Sequence, residues 1–226
     1  MTDQVAHDQK NGSGPRSADD QRDPGTTARA ALLYPDWRYI EQPALEDYRA
    51  ADWALLNGQK PTYFADQQAK QALELLFASK DAPTYGYEIN NYQHCLQSAT
   101  MALRDGHDEE TQVVALFHDI GFIVCPNSHG EFSAALLAPY ISEANHWMLV
   151  RHAIFQQRHF NEYPDPVDRN ECERWRGHPH FDWTGHFVEK YDQNAIQIGY
   201  DNAPIEVFEP MVHRLFAREP RRLAID

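Results

Sequence analysis

No apolar run in the chain approaches the roughly 18 residues that cross a membrane. The mean hydropathy is −0.67, so membrane insertion is not expected. The opening stretch, MTDQVAHDQKNGSGPRSADD, holds no apolar segment of the kind a secretory signal needs. Positive charge is scarce: 20 Lys plus Arg stand against 34 Asp plus Glu, a net charge of −14. Nucleic acid requires a basic face and anionic membrane surfaces attract clustered cations, so neither partner is expected. Cysteine is scarce too. Cys95, Cys125 and Cys172 are odd in number and show no CxxC spacing. That excludes a disulfide framework or a zinc knuckle and fits reduced thiols in the cytoplasm. Alternating strand patterns are missing, and no segment repeats.

What remains is helical. The length of 226 residues suits one globular domain with a tail. Residues 1–30 are polar and rich in Asp, Gln, Gly and Ser, so they bury too little to offset ordering and are expected to be disordered. Residues 31–83 read as a helical extension and 84–226 as the main domain. Within the extension, Ala69, Ala72, Leu73 and Leu76 mark a helix over 65–81. In the main domain Ile89, Tyr92, Leu96, Ala99 and Leu103 step by three and four, one helical face. DEETQVVALFHDIGF begins with acids, as a helix N-terminus prefers, and predicts a helix ending at Gly121. Further helices are expected over 128–141, 142–160, 185–196 and 204–219. The fold class is all-α.

Histidine is the residue in excess, at 12. His118 and Asp119 are adjacent, about 100° apart on a helix, so both reach inward only near a helix end. There the imidazole can meet one metal ion while the carboxylate bridges two. His94, His129, His152 and Asp192 lie on the neighbouring helical segments. Four imidazoles and two carboxylates inside a helical bundle are the donor set of a dinuclear non-haem iron or manganese site. Asp182 is a rival to Asp192, which the helical context of FVEKYDQ favours. Cys95, beside His94, reads as a small core residue rather than a ligand. His107, after a turn glycine, is expected to be exposed.

The segments YQHCLQSATMAL, ALFHDIGF, NSHGEFSAALL, LVRHAIFQQRHF and FVEKYDQNAI resemble the HD-domain proteins. His118-Asp119-Ile120-Gly121 is the fullest form of that motif. The likeness covers roughly 84–215, making 84–226 an HD domain, a helical bundle around a dinuclear metal site. Among HD proteins the chain looks most like the mixed-valent di-iron oxygenases, which include myo-inositol oxygenase and the phosphonate-cleaving oxygenases. The phrase His94-Cys95-Leu96-Gln97-Ser98-Ala99 is similar to that of the phosphonate-cleaving group. The resemblance implies that His94, His118, Asp119 and Asp192 hold one ion, and Asp119, His129 and His152 the other. It implies two irons, Fe(II)/Fe(III), with Mn, Zn or Mg as alternatives.

The implied reaction is oxidative cleavage, with O₂, of a C–P or C–C bond in a small hydroxylated substrate such as a 1-hydroxyphosphonate. The alternative is a metal-dependent phosphohydrolase acting on a phosphate ester or nucleotide. A binding module descended from the same fold is a third reading, although all six ligand positions are filled. His118 and Asp119 stand at the catalytic centre in both enzymatic readings. Arg158 and His159 are the candidates to take phosphoryl charge. The phosphonate-cleaving enzymes often carry Lys where this chain has Gln156, and Arg where it has Glu189. Arg158, His159 and Lys190 are the cations that stand in. Tyr85, Tyr87 and Glu88 occupy the neighbourhood of a gating Tyr–Glu pair. The run from Arg174 to Trp183 reads either as a loop wedged on the core by Trp175, Phe181 and Trp183, or as a lid carrying Arg176 or His178.

Overall fold

The structure is a computed structural model that describes residues 28–221. The expected disorder of 1–30 therefore falls, apart from 28–30, outside the described residues. The chain divides into two compact units, Met1–Leu56 and Asn57–Asp226. In the first, Arg29 pairs with Glu41 at 2.8 Å and Tyr39 donates its hydroxyl to the Ala30 carbonyl at 2.6 Å. Helix α1 spans Ala50–Phe77. It begins well before the apolar pattern of 65–81, because its buried residues start only at Ala69. Exposed helix carries no apolar face, so its periodicity is invisible in sequence.

In the second unit α1 is followed by α2 (Asn91–Arg104), α3 (Glu109–Phe117), α4 (His129–Leu137), α5 (Glu143–Gln156), α6 (Phe181–Phe187) and α7 (Glu209–Phe216). A π-helical turn, Val188–Asp192, continues α6. Among the described residues there is no strand, and no helix is long and apolar enough to cross a membrane. The all-α expectation holds.

Helix α3 is the centre of the unit. Every residue from Thr111 to Phe117 is buried, and Val113–Phe117 is apolar on all sides, as a central helix must be. Helices α2, α5 and α7 pack against it, α4 packs on α5, and the π-turn lies on α2 and α5. Ala69, Ala72, Leu73 and Leu76 of α1 belong to the same core as Val113, Leu116, Leu149 and Phe216. A smaller cluster forms around Phe155, Cys172, Phe181 and Val188.

Helix α2 is set by a capping box. The Asn90 side chain accepts from the Gln93 amide at 3.0 Å, and Gln93 Oε1 accepts from the Asn90 amide at 2.9 Å. Asn90 Nδ2 also donates to the carbonyls of Lys80 and Ala82. Asn90→Ala should cost about 1 kcal/mol in urea unfolding of the metal-free protein. An unchanged urea midpoint would show that the cap contributes nothing.

Candidate metal centre

Helix α3 ends at Phe117, four residues short of the expected stop at Gly121. His118 Nδ1 lies 2.8 Å from the Ala115 carbonyl, the acceptor that the Asp119 amide would use in a continuing helix. The chain turns instead, with the Ile120 amide on the Phe117 carbonyl and the Phe122 amide on the Asp119 carbonyl. Gly121 serves close packing rather than a left-handed cap. A Cβ there would lie 3.0 Å from Phe132 Cβ. This turn lets His118 and Asp119 both face the interior.

His94 comes from α2, His129 opens α4, His152 lies late in α5, and Asp192 ends the π-turn. His118 and Asp192 are fully buried, and His152 is 1% exposed. The Nε2 atoms of His94 and His118 are 3.0 Å apart, as are those of His129 and His152. Between the two pairs stands the Asp119 carboxylate. Its Oδ1 is 3.1 Å from His152 Nε2 and 3.3 Å from His129 Nε2. Its Oδ2 is 3.5 Å from His94 Nε2. Asp192 Oδ1 lies 3.7 Å from both His94 and His118 Nε2. All six predicted ligands are thus brought together.

The outer contacts explain the orientation. Nδ1 of His94 faces the Ala195 carbonyl at 3.0 Å. Those of His118, His129 and His152 face the carbonyls of Ala115, Pro126 and Leu149, each at 2.8 Å. A carbonyl only accepts, so each Nδ1 carries the proton and each Nε2 turns its lone pair to the cluster. Two such nitrogens 3.0 Å apart repel unless a cation, a proton or a metal ion, sits with them.

The charges without metal follow the same logic. Burial works against the His118 imidazolium, but the Asp119 and Asp192 carboxylates outweigh it and raise its pKa to about 9. Burial, together with that neighbouring cation, lowers His94. Asp119 lies below the usual carboxylate range, because the positive charge of His118 and the close approach of the other imidazoles outweigh its burial. Asp192 is lowered in the same sense: burial opposes its charge, and the His118 imidazolium 3.7 Å away outweighs it.

The donors fit a metal. His94, His118 and Asp119 form one group of potential ligands, and Asp119, His129 and His152 another, each with ligand atoms within 4.8 Å of one another. Asp192 Oδ2 is buried with no hydrogen-bond partner, a costly state that a cation relieves. Nitrogen and carboxylate donors without thiolate suit iron, manganese, zinc or magnesium rather than soft ions. Cys95 is fully buried and its thiol is pushed well up by burial, so it stays a core residue.

Arg158 and His159 are not brought to the cluster. Among the described residues neither shares a hydrogen bond or ion pair with the six. Arg158 pairs with Glu173 and lies over the rings of Phe155 and Phe181. Helix α5 ends at Gln156, and Arg158 stands on the 3₁₀ turn that follows, Gln157–His159. His159 ends the same turn, beyond the last residue of α5. Gln156 is the residue that reaches in, donating from Nε2 to Asp192 Oδ1 at 3.1 Å. Asp182 is exposed. Lys190 pairs with Asp105.

The Arg174–Trp183 segment packs down. His178 stacks on Trp147 at 4.3 Å, Trp175 meets the same ring edge-on, and Arg176 is held by Glu173. Tyr85 stacks on Phe122, whose ring meets His129. Gln97 makes two hydrogen bonds to the Gln197 backbone, tying down the segment that carries the Ala195 carbonyl. Asn91 Nδ2 donates to the Asp119 carbonyl at 2.9 Å. Neither role has a sequence signal, though Gln97 belongs to the motif phrase. His107 corrects the expectation of exposure: it is half-buried, with Nε2 2.6 Å from Tyr191 Oη. The chain matches no protein-family model and no curated protein.

Proposed function

We propose that the protein is a dinuclear metalloenzyme of HD type. Its leading activity is O₂-dependent cleavage of a C–P or C–C bond in a small hydroxylated substrate such as a 1-hydroxyphosphonate. The observation that carries the reading is the Asp119 carboxylate shared between two imidazole pairs, with His94 at 3.5 Å from one oxygen and His152 at 3.1 Å from the other. Paired irons at these positions would supply Lewis-acid binding of a substrate hydroxyl and one-electron chemistry toward O₂. The chain's own part is to hold and orient. The backbone carbonyls fix four imidazoles, Asp119 joins the pairs, and burial of His118, His152 and Asp192 keeps bulk water from them. The three free thiols suit a reducing cytoplasm.

The hydrolytic reading calls for a cation beside the phosphoryl group. Arg158 is held by Glu173, away from the cluster, so it supplies that charge neither to a phosphate ester nor to a phosphonate, and the bound metal separates the two readings. The test is low-temperature EPR on iron-loaded protein after partial oxidation, with metal quantified on the same sample. The expected result is two irons per chain, a mixed-valent signal, and O₂ uptake with hydroxylated phosphonates or polyols. Phosphate-ester turnover without O₂, supported by Mn, Zn or Mg, would replace the oxygenase with the hydrolase.

A further inference from the structure

The residues just before Asp192 turn away from the metal cluster and grip the end of α2. Tyr191 is 1% exposed, and its hydroxyl donates to Asp105 Oδ2 at 2.8 Å. The Tyr191 hydroxyl oxygen lies 2.6 Å from His107 Nε2. A phenol has one proton. With that proton on Asp105, the oxygen accepts from His107 Nε2–H. Lys190 Nζ pairs with the same Asp105 oxygen. Asp105 is the C-cap of α2, the helix that carries His94. The Tyr191 ring also meets His107 edge-on at 5.3 Å and packs on Phe187.

The backbone here needs such an anchor. The Gln193 amide reaches back five residues to the Val188 carbonyl, the wide bond of a π-turn. A single π-turn is less favourable than α-helix and persists where its surroundings hold it. Relaxing it to α-helical register would turn the following side chain by about 100°. Asp192 would then leave the cluster, where it is fully buried with one oxygen unpartnered.

We propose that Tyr191 is a positioning residue: tied to Asp105 and His107, it holds the π-turn that aims the Asp192 carboxylate at the ion shared by His94 and His118. The inference rests on the dinuclear reading above. It predicts an asymmetric defect, since the ion held by Asp119, His129 and His152 does not use the π-turn.

The test is Mn²⁺ binding to the full-length, metal-stripped protein, followed by the EPR signal of the free ion. Wild type should bind two Mn²⁺. Tyr191→Phe removes only the hydroxyl and should weaken one of the two sites by about tenfold or more, leaving the other unchanged. Asp105→Ala, at a side chain one-third exposed, removes the acceptor from outside the core and should give the same one-site loss. Tyr140→Phe removes a hydroxyl that donates to Gln68 of α1 and not to any residue of the cluster, and should change neither affinity. Thermal melting of the metal-free proteins establishes that each variant is folded. Wild-type affinity at both sites in folded Tyr191→Phe and Asp105→Ala, or equal weakening of both sites, would overturn the positioning role while leaving the dinuclear centre standing. Wild-type protein that binds no Mn²⁺ would overturn the centre itself, and the positioning role with it.

Discussion

Asp119→Ala should empty both metal positions and abolish turnover. Asp119 is the carboxylate that faces both imidazole pairs, through Oδ1 toward His129 and His152 and through Oδ2 toward His94. Without it each pair of nitrogens keeps its 3.0 Å approach but loses the anion that offsets a bound cation. Two ions supply several kcal/mol of transition-state stabilisation, so the rate should fall by at least about a thousandfold. The metal-free fold should suffer as well. Asp119 holds His118 as a buried imidazolium, and removing one partner of a buried pair costs about 3–5 kcal/mol. The sign with pH follows from the lowered Asp119 pKa. The pair's stabilisation by this carboxylate is present above the ordinary Asp range and is lost as pH falls through the folded value. Metal analysis and calorimetric melting of wild type and Asp119→Ala, each with and without chelator, check the set. A variant that retained two ions per chain would sink the shared-carboxylate centre.

The second large effect is expected from a methyl group. Gly130 follows His129 on α4, and a Cβ there would lie 2.5 Å from the Leu149 carbonyl oxygen and 3.2 Å from His152 Cε1. That carbonyl is the one that holds His152 Nδ1 at 2.8 Å. Gly130→Ala therefore strikes the close packing of α4 on α5 and the orientation of a ligand at once. Overpacking of this kind costs about 1–3 kcal/mol. Here the obstacle is backbone, which cannot swing aside, so the upper part of that range is expected. The ion held by Asp119, His129 and His152 should be lost first. Gly58→Ala is the contrast, because nothing lies within 4 Å of its Cβ position in α1. In helix interior that change should stabilise by about 1 kcal/mol. A melting temperature and metal content unchanged in Gly130→Ala would show that α4 and α5 can part without consequence.

The residues of the cluster were legible in sequence through the His-Asp pair near a helix end and the likeness of the surrounding segments to HD-domain proteins. A His-Asp dipeptide near a helix end, with four further donors on neighbouring helical segments, needs no tertiary knowledge to suggest a metal. The errors fell where neighbours decide. The α3 stop moved to Phe117 because the His118 ring takes a backbone acceptor. The start of α1 was hidden because nothing before Ala69 is buried. Arg158 was drawn to the site by its charge, yet it lies past the end of α5 and pairs with Glu173, while the uncharged Gln156 reaches Asp192.

Sequence alone determined that this chain is helical, that it carries an acidic surplus, and that four His and two Asp able to bind a metal lie along successive segments. Those properties follow from composition and from periods of three to four residues, which each segment expresses by itself. Only the tertiary structure decided which nitrogen of each histidine faces inward, that one carboxylate serves both imidazole pairs, and that a π-turn anchored by Tyr191 delivers Asp192. Each of these depends on distances between segments far apart in the chain, His94 to Ala195 or Tyr191 to Asp105 among them. Such distances are set by packing around the buried α3, and no local pattern encodes them.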